Sequence, residues 1–420
     1  MELYIEERIK ICEKSLDFHE EITQTNPLFI MKKVALLVGL AASLGFNNAQ
    51  AVDLNWAGDV RYRYQTEKTD DGNSATTDIS RNRHRGRLRL GASAWINEEL
   101  SSGVQIATDD MSSTQYWATN ETTSRNQTFG NTFHASPVFL NEYYIDYHPA
   151  MLCGDVNVIL GKRAVASTLT VVNDLVWDSD LTFEGATLQY GKDAAGKEKD
   201  GLAAIVGYYP LNEVNGSAPS PSAAGTAGRY NDAYLFATQA SYKGEFSDIG
   251  YQVGAAYYDY VNFDYDGMIL KGTNNYSGKD FNIVELFGKV GGQITDTLPW
   301  QINAQYAFNT AKNDGVRYTK IDENNRKSYL VEAKIGDAKQ VGQWSTFADY
   351  VYIEKDAVTG FTDSDRNRGA QVDLKGIKLG GTYHLVQNMT LGLTYFRFKN
   401  IIASTIPTTH LLWVDAVVKF

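Results

Sequence analysis

Apolar and polar side chains alternate one by one along most of the chain after residue 53. In the first such segment the even positions from Leu54 to Tyr64 are apolar, aromatic or glycine, whereas the odd positions include Asp59, Arg61 and Arg63. The same pattern recurs over residues 85–97, 300–309, 328–335 and 412–420. Successive side chains of a β-strand point to opposite faces, so this period predicts an all-β chain whose strands each have one apolar face.

Aromatic residues on the apolar faces recur eight positions apart in three segments. Eight residues of strand measure about 26 Å, or roughly 20 Å of height when the strand is tilted by about 40°. That height matches the apolar band between the two aromatic girdles of a bacterial outer-membrane barrel. The spacing therefore predicts a transmembrane antiparallel β-barrel, whereas alternation alone also leaves open a large secreted β-sandwich. The predicted girdle residues are Trp56, Tyr64, Trp300, Phe308, Trp344 and Tyr352.

The composition excludes two other classes of protein. A hydrophobic fraction of 43% and a mean hydropathy of -0.33 are too low for a bundle of membrane-spanning helices. Each such helix needs about 20 consecutive apolar residues. The net charge of -11 argues against a protein that coats nucleic acid, because its surface would be basic. An aromatic fraction of 12% instead suits a chain of many strands.

Short and long connections alternate between the predicted strands. The candidate periplasmic turns lie near residues 97–101, 149–154, 191–201, 243–248, 292–299, 336–342 and 386–388. The candidate extracellular loops lie near residues 66–82, 111–136, 165–182, 210–231, 265–278, 311–325, 356–368 and 400–407. Seven turns and eight loops require about sixteen strands, and an even number is the bacterial rule. The last strand ends on Phe420, which is predicted to be an assembly signal for the insertion machinery.

The first 51 residues have the features of an export signal. Residues 31–51 combine a basic start, an apolar run and a small-residue cleavage site, so they predict a signal peptide. Export signals normally lie at the extreme N-terminus, so residues 1–30 are predicted to be a non-native or mis-assigned extension. The mature chain is then a single barrel domain of residues 52–420. Its predicted location is the bacterial outer membrane, which it reaches through the periplasm.

Charged residues on the polar faces predict the lining of a pore. Sixteen strands enclose a lumen wider than side chains can fill, so water occupies it unless a loop intrudes. The third loop, near residues 165–182, is predicted to fold inward and form a constriction. Its acidic residues would face a basic wall across the lumen and set up a transverse field that favours polar solutes. The predicted basic lining is Arg61, Arg63, Arg85, Arg87, Arg89 and Arg163, and the predicted acidic constriction is Asp174, Asp178, Asp180 and Glu184.

Several segments carry a family resemblance. They are 58–63 (GDVRYR), 81–91 (RNRHRGRLRLG), 126–128 (NQT), 160–162 (LGK) and 174–185 (DLVWDSDLTFEG). On these motifs the chain resembles the putative-porin family of Gram-negative outer-membrane proteins over most of its mature length. The resemblance implies passive diffusion through an outer-membrane β-barrel and leaves open a trimer like that of general porins. Thr182 and Phe183 depart from the family pattern, in which Asn-Pro is expected.

The predicted function is that of a porin, a water-filled channel for passive diffusion of small hydrophilic solutes and ions. A substrate-selective or anion-selective channel is the alternative suggested by the arginine row, because guanidinium groups recognise phosphate and carboxylate. A plugged barrel that acts as an adhesin or structural protein would share every strand signal. An outer-membrane hydrolase is disfavoured, since the scattered histidines follow no nucleophile or metal spacing.

No enzyme activity, cofactor or metal site is predicted. The run from Asp363 to Asn367 begins like a calcium-binding loop, but Arg368 and Leu374 occupy the positions of its glycine and bidentate glutamate. The expected partners are outer-membrane lipid, lipopolysaccharide and the barrel-assembly machinery, and a homotrimer stays open. No nucleic-acid partner is expected.

Overall fold

The computed structural model describes most of the chain after residue 53. The predicted signal peptide and N-terminal extension lie outside the described residues, as does the segment that begins like a calcium-binding loop. The described residues are 54–70, 79–109, 125–130, 132–133, 135–152, 155–193, 196–213, 232–262, 279–312, 322–362, 372–402 and 408–420.

The described residues form one antiparallel sheet of seventeen strands. The strands are β1 Leu54–Asp70, β2 Ile79–Asn97, β3 Leu100–Thr108, β4 Gln127–Thr128, β5 Val138–Tyr147, β6 Val156–Ala164, β7 Thr182–Tyr190, β8 Gly201–Asn212, β9 Ala233–Phe246, β10 Ile249–Val261, β11 Asn282–Thr295, β12 Leu298–Asn309, β13 Lys327–Gly336, β14 Trp344–Ile353, β15 Leu374–Val386, β16 Met389–Asn400 and β17 Thr408–Lys419. A one-turn helix, α1 (Val165–Thr168), follows β6. None of the helices in the described part of the chain has the length and apolar character needed to span a membrane.

The sheet closes on itself, because β1 pairs with both β2 and β17. The two residues of β4 pair with Arg85 and Gly86 of β2, beyond the end of β3, so that β4 extends the line of β3. The remaining sixteen strands form a closed antiparallel barrel, which confirms the predicted fold and strand number. Short and long connections alternate around it, and we call the two ends of the barrel the turn end and the loop end.

Side chains of each strand alternate between the outside of the barrel and its lumen. On β1 the exposed Val60 and Tyr62 point outward, while the buried Asp59 and Arg63 point inward. The six predicted girdle residues lie on the outward faces of β1, β12 and β14. In each strand the tryptophan lies nearer the turn end and its aromatic partner nearer the loop end. Their role as a membrane girdle stays a prediction.

The barrel seam is closed at the turn end by the last residue of the chain. The backbone N–H of Gly58 donates to the Phe420 carbonyl at 2.8 Å, and the Phe420 N–H donates back to the Gly58 carbonyl at 3.1 Å. A Cβ atom on Gly58 would lie 2.5 Å from the Arg89 carbonyl oxygen and 2.9 Å from the Phe420 ring. Glycine is therefore required at this seam position. The role of Phe420 as an assembly signal stays a prediction.

The lumen face is not polar throughout. Toward the loop end of the wall from β8 to β17, many inward side chains are aromatic or aliphatic and form one buried cluster with the loops. Tyr258, Tyr260, Phe396 and Phe398 are each at most 2% exposed. The expectation of a polar inner face is wrong for this part of the wall, because loop residues cover it and exclude water.

Candidate pore constriction

The connection between β6 and β7, residues 165–181, folds into the lumen, and we call it the inner loop. The Val165 N–H donates to the Leu181 carbonyl at 2.9 Å and so closes the base of the loop. The side-chain amide of Gln189, on the inward face of β7, donates to the carbonyls of Ser167 and Thr168 at 2.7 and 2.8 Å. These bonds satisfy carbonyl groups that α1 leaves open and hold the loop against its own hairpin.

Two polar side chains anchor the next residues of the inner loop. The Gln239 amide on β9 accepts the Thr170 N–H at 2.7 Å and donates to the Thr170 carbonyl at 3.1 Å. The fully buried Lys192 Nζ donates to the Leu169 carbonyl at 2.8 Å and lies 3.5 Å from the Glu198 carboxylate. Burial lowers the pKa of Lys192 to about 8, against the opposing effect of Glu198. Two consecutive residues of the loop backbone are thus hydrogen-bonded to side chains of β9 and of the connection after β7.

Trp177 inserts into the apolar cluster of the lumen and is 3% exposed. Its ring meets the rings of Phe183 and Tyr258 edge to face, at centroid distances of 5.0 and 5.2 Å. The ring of Tyr260 stacks on it at 6.4 Å. Edge-to-face pairs of this kind add about 0.5–1.5 kcal/mol each to the burial of their area. Trp177 is therefore the main apolar anchor of the inner loop.

A second loop covers the inner loop toward the loop end. It follows β14 and is described over residues 354–362. The Asp178 N–H donates to the Phe361 carbonyl at 2.7 Å. The second loop is itself held by a buried ion pair of 2.5 Å between Lys279 Nζ and Asp356. Asp178 thus lies under this loop, where its side chain is only 7% exposed.

The inner loop spans the barrel from β6 to β15. Asp174 lies 3.5 Å from Lys378 Nζ, which projects from the inward face of β15. The Lys378 ammonium also lies 5.4 Å from the centroid of the Phe396 ring. Asp178 is only 7% exposed, and its carboxylate accepts the Asp180 N–H at 2.9 Å, which shapes the return of the loop.

Asp180 lies directly on the arginine wall. Its carboxylate is 3.2 Å from Arg87 Nη1 and 3.1 Å from Arg89 Nη1. Asp59 on β1 accepts from the Nε atoms of the same two arginines at 3.0 and 2.6 Å. The two guanidinium groups are therefore shared by two carboxylates, an arrangement of strong charge-assisted hydrogen bonds. Arg89 and Asp180 keep 27% and 20% of their side chains accessible, and both project into the lumen.

Two further arginines of β1 continue the wall. Arg63 donates to both carboxylate oxygens of Asp415 on β17, at 2.7 and 2.9 Å. Its guanidinium carbon lies 3.5 Å from the centroid of the Trp413 ring. Arg61 donates to the side-chain oxygen of Asn126 at 2.5 Å. Within the described residues, no carboxylate lies within 4.0 Å of the Arg61 guanidinium.

The remaining predicted basic residues also point inward. Arg85 is 1% exposed and donates to the side-chain oxygen of Gln65 at 3.2 Å. Arg163 on β6 forms an ion pair of 2.5 Å with Asp146 on β5. Its guanidinium lies 4.3 Å from the centroid of the Tyr144 ring. Arg163 is thus separated from the arginines of β1 and β2 and belongs to a different part of the wall.

The structure corrects two features of the predicted constriction. Asp180 does not face the arginines across a gap, because the opposite charges attract and form direct contacts with Arg87 and Arg89. Glu184 is not in the loop but on β7, where the period of the strand directs its side chain outward. On the outer face Glu184 pairs with Lys162 at 2.9 Å.

Sequence reasoning missed four members of the constriction, namely Asp59, Asn126, Lys378 and Asp415. Asp59 and Asp415 share the inward face with the arginines that they bind, so the period of two in the sequence could have predicted that they point into the lumen. Their partners were not readable, because Arg63 and Asp415 are 352 positions apart in the chain. Asn126 follows a long connection that has no period from which its direction could be inferred.

Known proteins share the architecture of this barrel. OprB of Pseudomonas putida is similar with a TM-score of 0.52 and 11% identity, over 87% of this chain and 94% of that chain. OmpF of Salmonella typhi has a TM-score of 0.48 and 15% identity, over 87% of this chain and 97% of that chain. The anion-selective porin of Comamonas acidovorans has a TM-score of 0.49 and 12% identity, over 88% of this chain and 100% of that chain. The likeness to OprB shows the fold alone, and the two lower scores add nothing to it.

No curated protein sequence matches the chain at a significant level. A sequence profile of the putative porin family, in contrast, matches residues 45–267 and 270–420. The matched segments include every described strand of the barrel, and with them the arginines of β1 and β2 and the inner loop. The chain therefore belongs to the putative porin family of outer-membrane channels.

Proposed function

We propose that the barrel is a water-filled channel through which small hydrophilic solutes and ions diffuse passively, with a preference for anions. The observation that carries the preference is Arg61, a lumen-facing guanidinium with no carboxylate at salt-bridge distance among the described residues. Such a group can donate hydrogen bonds to the oxygens of a passing carboxylate or phosphate. The partial accessibility of Arg89 and Asp180 supports a water-filled space beside it.

The other arginines supply a positive electrostatic field that attracts anions and do not form a fixed binding site. Asp59, Asp180 and Asp415 hold the guanidinium groups of Arg63, Arg87 and Arg89 in place and neutralise part of their charge. Conduction requires binding that is favourable enough for entry and weak enough for release. A wall in which Arg63, Arg87 and Arg89 are paired with carboxylates while Arg61 contacts a neutral amide meets both requirements, because an anion gains attraction without having to displace every carboxylate.

Arg61→Gln is expected to lower the anion-to-cation permeability ratio about fivefold. A unit charge about 8 Å away changes the energies of an anion and a cation by roughly 0.5 kcal/mol each in water, in opposite directions, so the ratio changes by roughly 1 kcal/mol, which corresponds to that factor. The measurement is the zero-current potential of single channels in a planar bilayer under a potassium chloride gradient. Lys162→Gln is the control, because it removes a charge from the outer face and should leave the ratio unchanged.

The outcomes of this experiment separate the rival functions. Stepwise ohmic currents support the channel, whereas silence of well-folded protein would favour a plugged adhesin or structural barrel. A conducting Arg61→Gln channel with an unchanged ratio would contradict the anion preference alone. We further propose that the protein is not an enzyme, and purified barrel is then expected to leave lipid and peptide esters intact.

Export and assembly are also proposals. Residues 31–51 would act as the signal peptide, so that the mature barrel begins at residue 52. N-terminal sequencing of the protein from outer membranes is expected to begin at Val52, and a mature chain that keeps residues 1–30 would contradict this.

Phe420 would be recognised by the assembly machinery, and the barrel would associate as a homotrimer. Cross-linking in native membranes tests the trimer by its threefold mass.

A further inference from the structure

The outer face of the barrel between β14 and β17 changes in character from the turn end to the loop end. Along β16 its outward side chains are, in order, Leu391, Leu393, Tyr395, Arg397 and Lys399. This column begins aliphatic and ends with two cations. The buried neighbours of these cations on the same strand point into the lumen. The two cations therefore belong to the membrane-facing surface and not to the pore.

Basic side chains from three neighbouring strands meet at the loop end of this face. Arg397 lies opposite His410 of β17 in the register, and Lys399 lies opposite Lys375 of β15. We call these four side chains the outer basic cluster. Arg397 and Lys399 are exposed, and no carboxylate of the described chain lies within 4.0 Å of Arg397, Lys399 or Lys375. Positive charge that is not matched by nearby carboxylates attracts an anion.

A groove of about 640 Å³ lies on the same strands, on the turn-end side of the outer basic cluster. Its floor includes Gly381, where an added Cβ would meet only the Ser345 carbonyl oxygen, at an ordinary contact distance of 3.5 Å. The space above this glycine is therefore open. The groove is walled by the outward apolar side chains Trp344, Leu379, Tyr383, Leu391, Leu393 and Val414.

Tyr395 joins the groove to the outer basic cluster. Its ring contributes to the lining of the groove. Its hydroxyl group and His410 Nδ1 are hydrogen-bonded at 2.7 Å, with ring centroids 6.1 Å apart. The apolar space and the cationic side chains are thus parts of one continuous surface. A ligand that fits both must carry an anionic group and an apolar chain in the same molecule.

We propose that this surface binds a phosphorylated glycolipid of the outer leaflet, with its phosphate on the outer basic cluster and an acyl chain in the groove. The phosphate assignment rests on charge complementarity, since Arg397 can bind phosphate oxygens bidentately and Lys399 adds a second cation. The position of the outer basic cluster also fits a lipid of the outer leaflet, because the loop end of such a barrel faces the outside of the cell. The site lies on the outer wall and is independent of conduction through the lumen.

Arg397→Gln is expected to weaken binding of diphosphorylated lipid A to the detergent-solubilised, folded barrel about tenfold, because a charged hydrogen-bond donor to phosphate is lost. Gly381→Leu fills the groove and is expected to weaken the binding of the same lipid by a similar factor. Native mass spectrometry of the barrel over a lipid titration measures both. Lys162→Gln is the matched control, because it removes a cation from another part of the outer face.

Enzymatically dephosphorylated lipid A with the same acyl chains distinguishes binding at a phosphate site from nonspecific hydrophobic binding. It is expected to bind wild type about as weakly as lipid A binds Arg397→Gln. Equal binding of both lipids to wild type would overturn the phosphate assignment, and equal loss in Lys162→Gln would overturn the location. Arg397→Gln should keep wild-type conductance in phosphatidylcholine bilayers, so failure of the lipid site and failure of the channel give different results.

Discussion

Trp177→Ala is expected to release the inner loop from the wall while the barrel stays closed. The ring of Trp177 fills a buried space between Phe183, Tyr258 and Tyr260, and truncation leaves a cavity there. Replacing a buried tryptophan by alanine costs about 3–5 kcal/mol. The cost falls on docking of the loop, because the ladder hydrogen bonds of the barrel do not pass through this side chain.

Hydrogen exchange of two loop amides measures the release. The Thr170 N–H is bonded to the Gln239 side chain and the Asp178 N–H to the Phe361 carbonyl, so both are protected only while the loop is docked. Both are expected to exchange about a hundredfold faster or more in Trp177→Ala, since local opening controls their rates. Amides of the β9–β10 ladder should exchange as in the wild type.

Trp177→Phe is the matched control for this substitution. A phenylalanine ring keeps the edge-to-face contacts and most of the volume, so exchange at Thr170 and Asp178 should change by less than about tenfold. Single channels of Trp177→Ala are also expected to flicker, because the undocked loop moves in the lumen. Unchanged protection of both amides in Trp177→Ala would show that polar anchors alone hold the loop.

The barrel wall was predictable because the sequence pattern that specifies it is local. A period of two needs only neighbouring residues, and a slip of one residue would turn every side chain of a strand to the wrong face. The inward direction of Arg61, Arg87 and Arg89 followed from that period alone. The strand count followed from the alternation of short and long connections.

The parts that failed depend on contacts between distant segments. On β16 the assumption that apolar side chains face lipid would place Phe396 and Phe398 outside and Arg397 in the lumen. The structure has the reverse, because loop residues bury the inward rings near the loop end. The docking of Asp180 on Arg87 was equally unreadable, since loop residues have no period and the two are 93 positions apart.

The double substitution Arg87→Gln with Arg89→Gln is expected to shift ion selectivity toward cations by the largest factor of any change in the wall. It removes both cationic partners of Asp180 and leaves that carboxylate and Asp59 facing the lumen. Two unit charges at about 8 Å change the energies of an anion and a cation by roughly 1 kcal/mol each in opposite directions, or about a thirtyfold change in the anion-to-cation permeability ratio. Zero-current potentials in a salt gradient measure the shift.

The opposite pair of substitutions should act in the opposite direction. Asp59→Asn with Asp180→Asn leaves both arginines without their carboxylates, so the ratio is expected to rise about thirtyfold toward anions. Both shifts should shrink at high salt, because ions screen charges beyond about 3 Å at 1 M. Shifts that persist at high salt would point to a changed pore shape and not to the field of the cluster.

The fourfold variant that combines both pairs separates charge from shape. It replaces every charged member of this cluster by a neutral amide of similar size, so the electrostatic contributions cancel and the ratio should return to within about twofold of wild type. If the fourfold variant instead kept the cation preference of the arginine double variant, loss of the guanidinium groups would have altered the loop position. Conductance near the wild-type value in all three variants is the accompanying check that the inner loop stays docked.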